Sequence, residues 1–347
     1  MSGERHHFIP QFLQRGFAES RGKGSYCWVY RKGSKPYNPN TDGIGVERWF
    51  YSLEKETGLD DEITGYEGEI ATRLRDWVQG DFSKSDSTDI ARFIAHLEMR
   101  SDHLRKNAKQ IFMHASEHAF DLLSDPENMF NQFMSSLTLD SPHVEQAFRR
   151  EAAEHGVSLE QLKALISLVP GGWKKLIEEA APSMLMQMPI FKEHVLSNMD
   201  ETVRSGHIKS MRRTISSDVK ADVYASLIYS LHRMNEPVIL GDSMVLFEVD
   251  SDRKFKPFFE KGDDLIAVYL PVTAGSVIVG RRDVTREVPP DLVLQLIRAS
   301  QDFFIAAVPN ESLEVLASRI GENSQWAEPD MIKASIEEAF QDALSKK

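Results

Sequence analysis

The chain has 347 residues, 41% of them hydrophobic and 27% charged, so it can bury a substantial core and is not disordered by composition. Its net charge of −12 argues against an extensive nucleic-acid-binding surface, which would need Lys and Arg to neutralise phosphates, but it leaves room for a local anion contact. The single cysteine, Cys27, excludes an internal disulfide and a multi-thiolate zinc site, and the lack of a long apolar run or signal peptide predicts a cytoplasmic protein without membrane association.

The first segment mixes polar and large apolar side chains, in the order His6-His7-Phe8-Ile9-Pro10-Gln11-Phe12-Leu13-Gln14-Arg15-Gly16-Phe17. Chain termini usually fray, so an apolar terminus of this kind is expected to dock into the fold. Pro10 favours extended backbone before it and a helix after it. That helix would carry Gln11, Gln14 and Arg15 on its polar side.

Two strands are predicted next. The aromatic and β-branched residues 26–31 suit a pleated surface, and a turn-rich stretch leads to a second strand at 46–51. Residues 25–51 are therefore predicted to form a β-hairpin with a long loop.

Helical spacing then dominates residues 63–234. Capping-box patterns at Thr64 and Ser158, and Pro142 after Ser141, mark helix starts. One long helix is predicted over 87–123, and further helices over 172–203 and 218–234.

Strands return at 237–242, 244–249, 265–270 and 276–279, and a helix over 289–308 precedes two more helices. The predicted fold class is α+β and predominantly α-helical. Many helices surround a small, mostly antiparallel sheet formed by the N-terminal hairpin and the strands near 238–279. Residues 1–347 are expected to form one interwoven domain.

Several polar residues are candidates for a site. A histidine such as His7 can serve as a general base near neutral pH, or it can simply bond a backbone carbonyl. On the long helix, Arg100 and His103 lie about one turn apart and could converge on an anion. Asp242 follows an apolar strand beside a glycine, where catalytic groups and turn formers are equally common.

Other catalytic patterns are weak or absent. His114 and His118 have the i, i+4 spacing of a metal site, but no carboxylate stands between them as in the metalloprotease helix motif. Histidines that pack at the border of a buried helix face explain the same spacing. The chain has no Gly-x-Ser-x-Gly elbow and no phosphate-binding loop, and Cys27 in an aromatic strand is expected to be buried and inert.

A set of short motifs is spread over residues 6–308, and it comprises His7-Phe8-Ile9-Pro10-Gln11-Phe12-Leu13, Trp28 and Tyr30, Phe50-Tyr51-Ser52, Glu67, Arg100, Ile239-Leu240-Gly241-Asp242 and Leu270-Pro271-Val272. In these motifs the chain resembles the bacterial proteins grouped as domain of unknown function 4238. That family tends to have a proline soon after the arginine that matches Arg100, where this chain has Ser101-Asp102. The resemblance supplies no substrate, reaction or cofactor. It implies that His7, Gln11, Arg100 and Asp242 belong to recurrent motifs and gather at one place.

Two functions compete on this reading. The first is a phosphate-directed hydrolase of nuclease type, with His7 and Asp242 as catalytic residues. Its substrate-binding residues would be Gln11, Arg15, Arg100 and His103. The second is a non-catalytic intracellular binding protein in which the same residues form a structural polar network. The sequence assigns no cofactor, no metal ligands and no partner.

Overall fold

The structure is a computed structural model that describes residues 5–52, 58–82, 86–132, 137–216, 219–260, 262–325, 327 and 329–345. The chain is 55% helical and carries small antiparallel sheets, which confirms the predicted α+β, mostly helical class. Within the described residues, none of the helices combines the length and the apolar character needed to cross a membrane.

The helices have bounds α1 (Gln11–Arg15), α2 (Gly58–Gln79), α3 (Asp86–Arg100), α4 (Asp102–Leu123), α5 (Pro126–Gln132), α6 (Pro142–Glu154), α7 (Leu159–Leu168), α8 (Gly172–Ser197), α9 (Met199–Ser216), α10 (Val219–Ala225), α11 (Leu292–Ala299), α12 (Glu311–Leu316) and α13 (Pro329–Ser345). Pro142 begins α6, and Ser158 forms a complete capping box with Gln161 at α7, both as predicted. Thr64 lies inside α2, which already begins at Gly58, so the helix start predicted at Thr64 is wrong.

The strands have bounds β1 (Arg5–His7), β2 (Glu19–Arg21), β3 (Gly24–Tyr26), β4 (Trp28–Arg31), β5 (Val46–Arg48), β6 (Ile228–Arg233), β7 (Leu240–Gly241), β8 (Leu246–Val249), β9 (Phe255–Lys256), β10 (Leu265–Thr273), β11 (Ser276–Arg281) and β12 (Phe303–Ala306). They form a five-stranded sheet in the order β6-β11-β10-β8-β9, a three-stranded sheet β4-β12-β7, and the pairs β1-β5 and β2-β3. All of these pairings are antiparallel.

The predicted hairpin of residues 25–51 is not formed. β5 pairs with β1, and β4 pairs with β12 from the late part of the chain. Tyr30 of β4 stacks on Phe304 of β12 with ring centroids 4.9 Å apart, so burial of the aromatic face favours the distant partner. Because β12 also pairs with β7, an N-terminal strand does share a sheet with a strand of the 238–279 region.

Three predicted helices end earlier than their spacing indicates. Residues 87–123 form α3 and α4, which are separated at Ser101. In 218–234 the described residues form α10 and then β6, which pairs with β11 along its full length. The tail of the predicted helix 289–308 is β12. In each strand, pairing within a sheet outweighs local helical spacing.

The chain forms two compact units, one of Met1–Ala108 with Thr202–Trp326 and one of Lys109–Glu201 with Ala327–Lys347. The first unit holds a large core that includes the five-stranded sheet, α1 and α3. The second is helical and has a small core around Met129 and Ile177. The single interwoven domain stays a prediction.

His96 is a polar residue inside the core of the first unit. Its side chain is fully buried, and neither ring nitrogen has a hydrogen-bond partner. The ring meets Tyr66 edge-on at 5.1 Å. Burial lowers the pKa of His96 to about 4, because a charged imidazolium would lose its hydration there.

We expect His96 to make the protein sensitive to acid. Between pH 6.5 and about 4 the unfolded chain binds a proton at this residue and the folded chain does not, so the free energy of unfolding falls as the pH falls. His96→Phe should reduce that loss by up to about 3 kcal/mol, measured by urea unfolding at pH 7 and pH 4. His155→Phe, at an exposed histidine, is the matched control. Equal pH dependence in the two variants would contradict this.

Candidate functional site

The N-terminal strand enters the fold beside α1. β1 pairs with β5 so that His6 lies opposite Glu47 and His7 opposite Val46. Gly45 closes this pairing with a φ of 60°, and a Cβ there would lie 2.9 Å from the Ile9 side chain, so only glycine fits.

The backbone carbonyl of His7 collects three donors. Arg100 donates to it from Nε at 3.0 Å and from Nη2, and the Tyr51 hydroxyl donates to it as well. Arg100 also forms an ion pair with Glu67 of α2, and its guanidinium lies 5.1 Å from the centroid of the Tyr51 ring. Arg100 is only 2% exposed. An ion pair between the buried Arg100 of α3 and the half-buried Glu67 of α2 therefore helps to fix the backbone of β1.

The His6 side chain is buried against Tyr51, with the two rings stacked at 4.9 Å. Its Nδ1 accepts the backbone N–H of Tyr51 at 2.9 Å. In the neutral ring the proton must then be on Nε2, which lies 4.0 Å from Oδ1 of Asp60. His6 thus presents an N–H donor on the side of α2.

The His7 side chain is half-buried on the side of α1. Its Nε2 lies 3.3 Å from the amide nitrogen of Gln11, which donates to Oδ1 of Asp42 at 2.8 Å. Burial lowers the pKa of His7, and the nearby charge of Arg100 lowers it further, while hydrogen bonding to the backbone of Asp42 and Thr41 raises it. Burial and Arg100 together outweigh the raising contributions, so the ring is neutral at physiological pH.

These groups line a cavity of about 390 Å³ in the first unit. Its lining is Arg5, His6, His7, Gln11, Tyr51, Asp60, Asp61, Ile63, Thr64, Glu67 and Arg100. Its one aliphatic side chain among the described residues is Ile63. The volume is in the range that small-molecule sites occupy.

Of the predicted site residues, the structure brings His7, Gln11 and Arg100 together. Asp242 does not join them: it is 5% exposed, and its carboxylate accepts the backbone N–H groups of Gln301, Asp302 and Phe303 at 2.7 to 3.1 Å. Burial raises the pKa of Asp242 to about 6, although these three donors lower it. The expected meeting of Asp242 with His7 is therefore corrected. Its carboxylate holds the turn before β12.

His103 and Arg15 also lie outside the cavity lining. The helix break at Ser101 separates His103 from Arg100, so they do not converge on an anion as predicted. His103 Nε2 lies 2.6 Å from the carbonyl oxygen of Ser324, and burial lowers its pKa to about 3. Arg15 is exposed and donates to Oε1 of Gln11 at 3.3 Å, so it can act on the site only through Gln11.

Other predicted features are placed as follows. Gln14 is buried, not on a polar face, and donates to the carbonyls of Ile9 and Ile44. Cys27 is buried, which raises its pKa to about 12 and agrees with an inert thiol.

His118 Nε2 lies 3.2 Å from Glu337, while His114 is 3.9 Å from Glu117. The described residues contain no group of three or more His, Cys, Asp or Glu side chains arranged for a metal ion.

Seven polar residues of the cavity were not predicted as site residues: Arg5, His6, Tyr51, Asp60, Asp61, Thr64 and Glu67. The motif Phe50-Tyr51-Ser52 contained a signal for Tyr51, and Glu67 likewise stood in a motif. Nothing in the sequence distinguishes Asp60 from its acidic neighbours, because its proximity to His6 depends on how α2 packs against β1.

The fold and this site define a class: an α+β, mainly helical protein whose docked N-terminal strand builds a polar cavity with its first long helices. The family described as Protein of unknown function (DUF4238) matches residues 5–291, and the chain belongs to that family, as its motifs indicated. No curated protein and no solved structure matches the chain.

We expect substitution of Arg100 to lower the free energy of unfolding markedly. Arg100→Met leaves Glu67 without its buried partner and takes two donors from the His7 carbonyl, so we expect a loss of about 3–5 kcal/mol in the free energy of unfolding. Arg73→Met, at a half-exposed arginine paired with Asp89, is the control and should cost about 1 kcal/mol or less. Chemical denaturation measures both. Similar losses in the two variants would rule out the central role of Arg100.

Proposed function

We propose that the protein is a hydrolase of small phosphate-bearing substrates and that the cavity beside β1 is its active site. One observation carries the proposal. The fold uses the buried Arg100, paired with Glu67, and the Tyr51 hydroxyl to fix the backbone from which two imidazoles line one polar cavity. Docking a terminus needs only apolar contacts, and buried charges are costly unless they position something.

The two histidines are suited to different steps. His7 is neutral, since burial and Arg100 lower its pKa, so its ring can accept a proton from an attacking water as a general base. His6 carries its proton on Nε2 near Asp60 and can donate a hydrogen bond that stabilises charge on the leaving oxygen, which takes its proton from water. Arg5 is exposed at the cavity and supplies positive charge for a phosphate, and Gln11 supplies an amide.

A second function has its own support. Asp60, Asp61 and Glu67 also line the cavity, and Arg100 is fully committed to protein partners. These carboxylates oppose a free phosphate anion. They favour the alternative in which the polar residues only hold β1 in place and the protein acts as a non-catalytic binding protein.

His7→Gln separates these two functions, because Arg100 and Tyr51 bind the main-chain carbonyl of residue 7 and not its side chain. We expect turnover of a phosphomonoester, a phosphodiester or a short oligonucleotide to fall about 100- to 10,000-fold while the melting temperature stays within a few degrees. His6→Gln should lower turnover similarly. His155→Gln, at an exposed histidine of the second unit, should change neither.

The assays use full-length protein with and without Mg²⁺, Mn²⁺ and Zn²⁺. Absence of turnover by the wild-type protein on every substrate class, together with a melting temperature that falls in both cavity variants, would establish the binding-protein alternative.

A further inference from the structure

The second unit has an exposed apolar surface made of side chains that do not pack into its small core. Along α8, Met186 is 81% exposed, Ile190 69% and Phe191 58%. α8 begins well packed, with Ile177 buried and Trp173 against the core, so the exposure grows toward its C-terminal half. An exposed apolar patch of this kind marks an interaction site in a water-soluble unit.

This surface contains a groove of about 620 Å³ between the end of α4 and the second half of α8. Its lining is Phe120, Leu123, Met184, Gln187, Met188, Ile190, Phe191 and His194. Phe120 and Phe191 meet edge-on at 5.7 Å and form part of its wall. Methionine side chains adapt their shape to a partner, so a groove lined by Met184 and Met188 suits a variable apolar face.

The negative charge of the second unit indicates which class of partner this groove can bind. The second unit holds 19 Asp and Glu against 10 Lys and Arg, so most of the net charge of −12 lies in it. Asp121, 67% exposed, follows Phe120 directly, and exposed Glu193 precedes His194. Lys192 beside the groove already pairs with Asp121 at 2.8 Å. An anionic membrane, a nucleic acid or a second copy of this acidic unit would each bring like charge.

We propose that this groove binds a basic amphipathic α-helix of a partner protein. The apolar stripe of such a helix would fill the groove, and its Lys and Arg side chains would face the acidic rim formed by Asp121 and Glu193. This inference concerns the second unit and is independent of the cavity in the first.

The experiment uses full-length protein and three labelled 18-residue probe peptides. One places Leu on one helical face and Lys on the other, the second replaces every Lys by Glu, and the third scrambles the first. We expect the Leu/Lys helix to bind at least 10-fold more tightly than either of the others by fluorescence anisotropy. Binding should weaken from 50 to 300 mM salt, because the rim contacts are screened.

Two charge-neutral variants locate the site. Ile190→Gln and Phe191→Gln alter exposed side chains, so both should fold, and each should weaken binding of the Leu/Lys helix at least 5-fold. Val315→Gln is the matched control, because Val315 is 73% exposed on α12 in the first unit. It should leave the affinity unchanged.

Several outcomes would overturn the inference. The Leu/Glu helix could bind as tightly as the Leu/Lys helix, or both groove variants could keep the wild-type affinity. Sedimentation could show that the wild-type protein is a dimer and that Phe191→Gln is not. The wild-type protein could bind phosphatidylcholine vesicles and Phe191→Gln could fail to do so. The first two exclude the groove as a site for a basic helix. The last two assign it to a second copy or to a lipid surface.

Discussion

The contact between the Arg100 guanidinium and the His7 carbonyl is the interaction on which the arrangement of the N-terminal site depends. It joins β1 to the end of α3, and the ion pair with Glu67 adds α2 to the same junction. Arginine suits this position because its planar fork can bond a carbonyl and a carboxylate at once while it lies over the Tyr51 ring. A lysine could supply the charge but not that geometry.

A contact through the main chain has a consequence for the two histidines. The contacts of Arg100 and Tyr51 with the His7 carbonyl use neither imidazole, so the side chains of His6 and His7 can take separate environments. Successive side chains of a strand point to opposite faces, and here one ring faces Tyr51 and Asp60 while the other faces Gln11. The pair can therefore differ in protonation and in hydrogen bonding although the residues are adjacent in sequence.

The sequence predicts much of the fold where local signals and tertiary packing agree. The strand predictions at 265–270 and 276–279 match β10 and β11, and the starts of α6 and α7 match because proline and capping residues act locally. It fails where a distant partner decides the structure. β6 and β12 lie in stretches with helical spacing, yet each pairs with a strand far away in the chain. The break at Ser101 was also hidden, since helical spacing continues through it, although the family's tendency to proline after this arginine hints at a helix end.

The site could be predicted in part for the same reason. Motif membership was enough to nominate His7, Gln11 and Arg100, but not to show that Arg100 binds a backbone carbonyl, because a main-chain partner leaves no trace in the residue pattern. Asp60 and Thr64 reach the cavity only through the packing of α2.

Buried and half-buried polar side chains in the first unit repeatedly bind main-chain groups. Asp242 accepts three backbone N–H groups, Arg204 donates to the carbonyls of Trp49 and Ser52, and His103 bonds the carbonyl of Ser324. Trp49 has a φ of 58°, which is costly for a large side chain, and the Arg204 contact helps to hold it. The motif residues Arg100 and Asp242 thus mark places where the backbone is fixed, and a motif residue is not a reactive group by that fact alone. Chemistry is then expected from side chains that line the cavity while their main chain makes the fixing contacts, and His7 is such a residue.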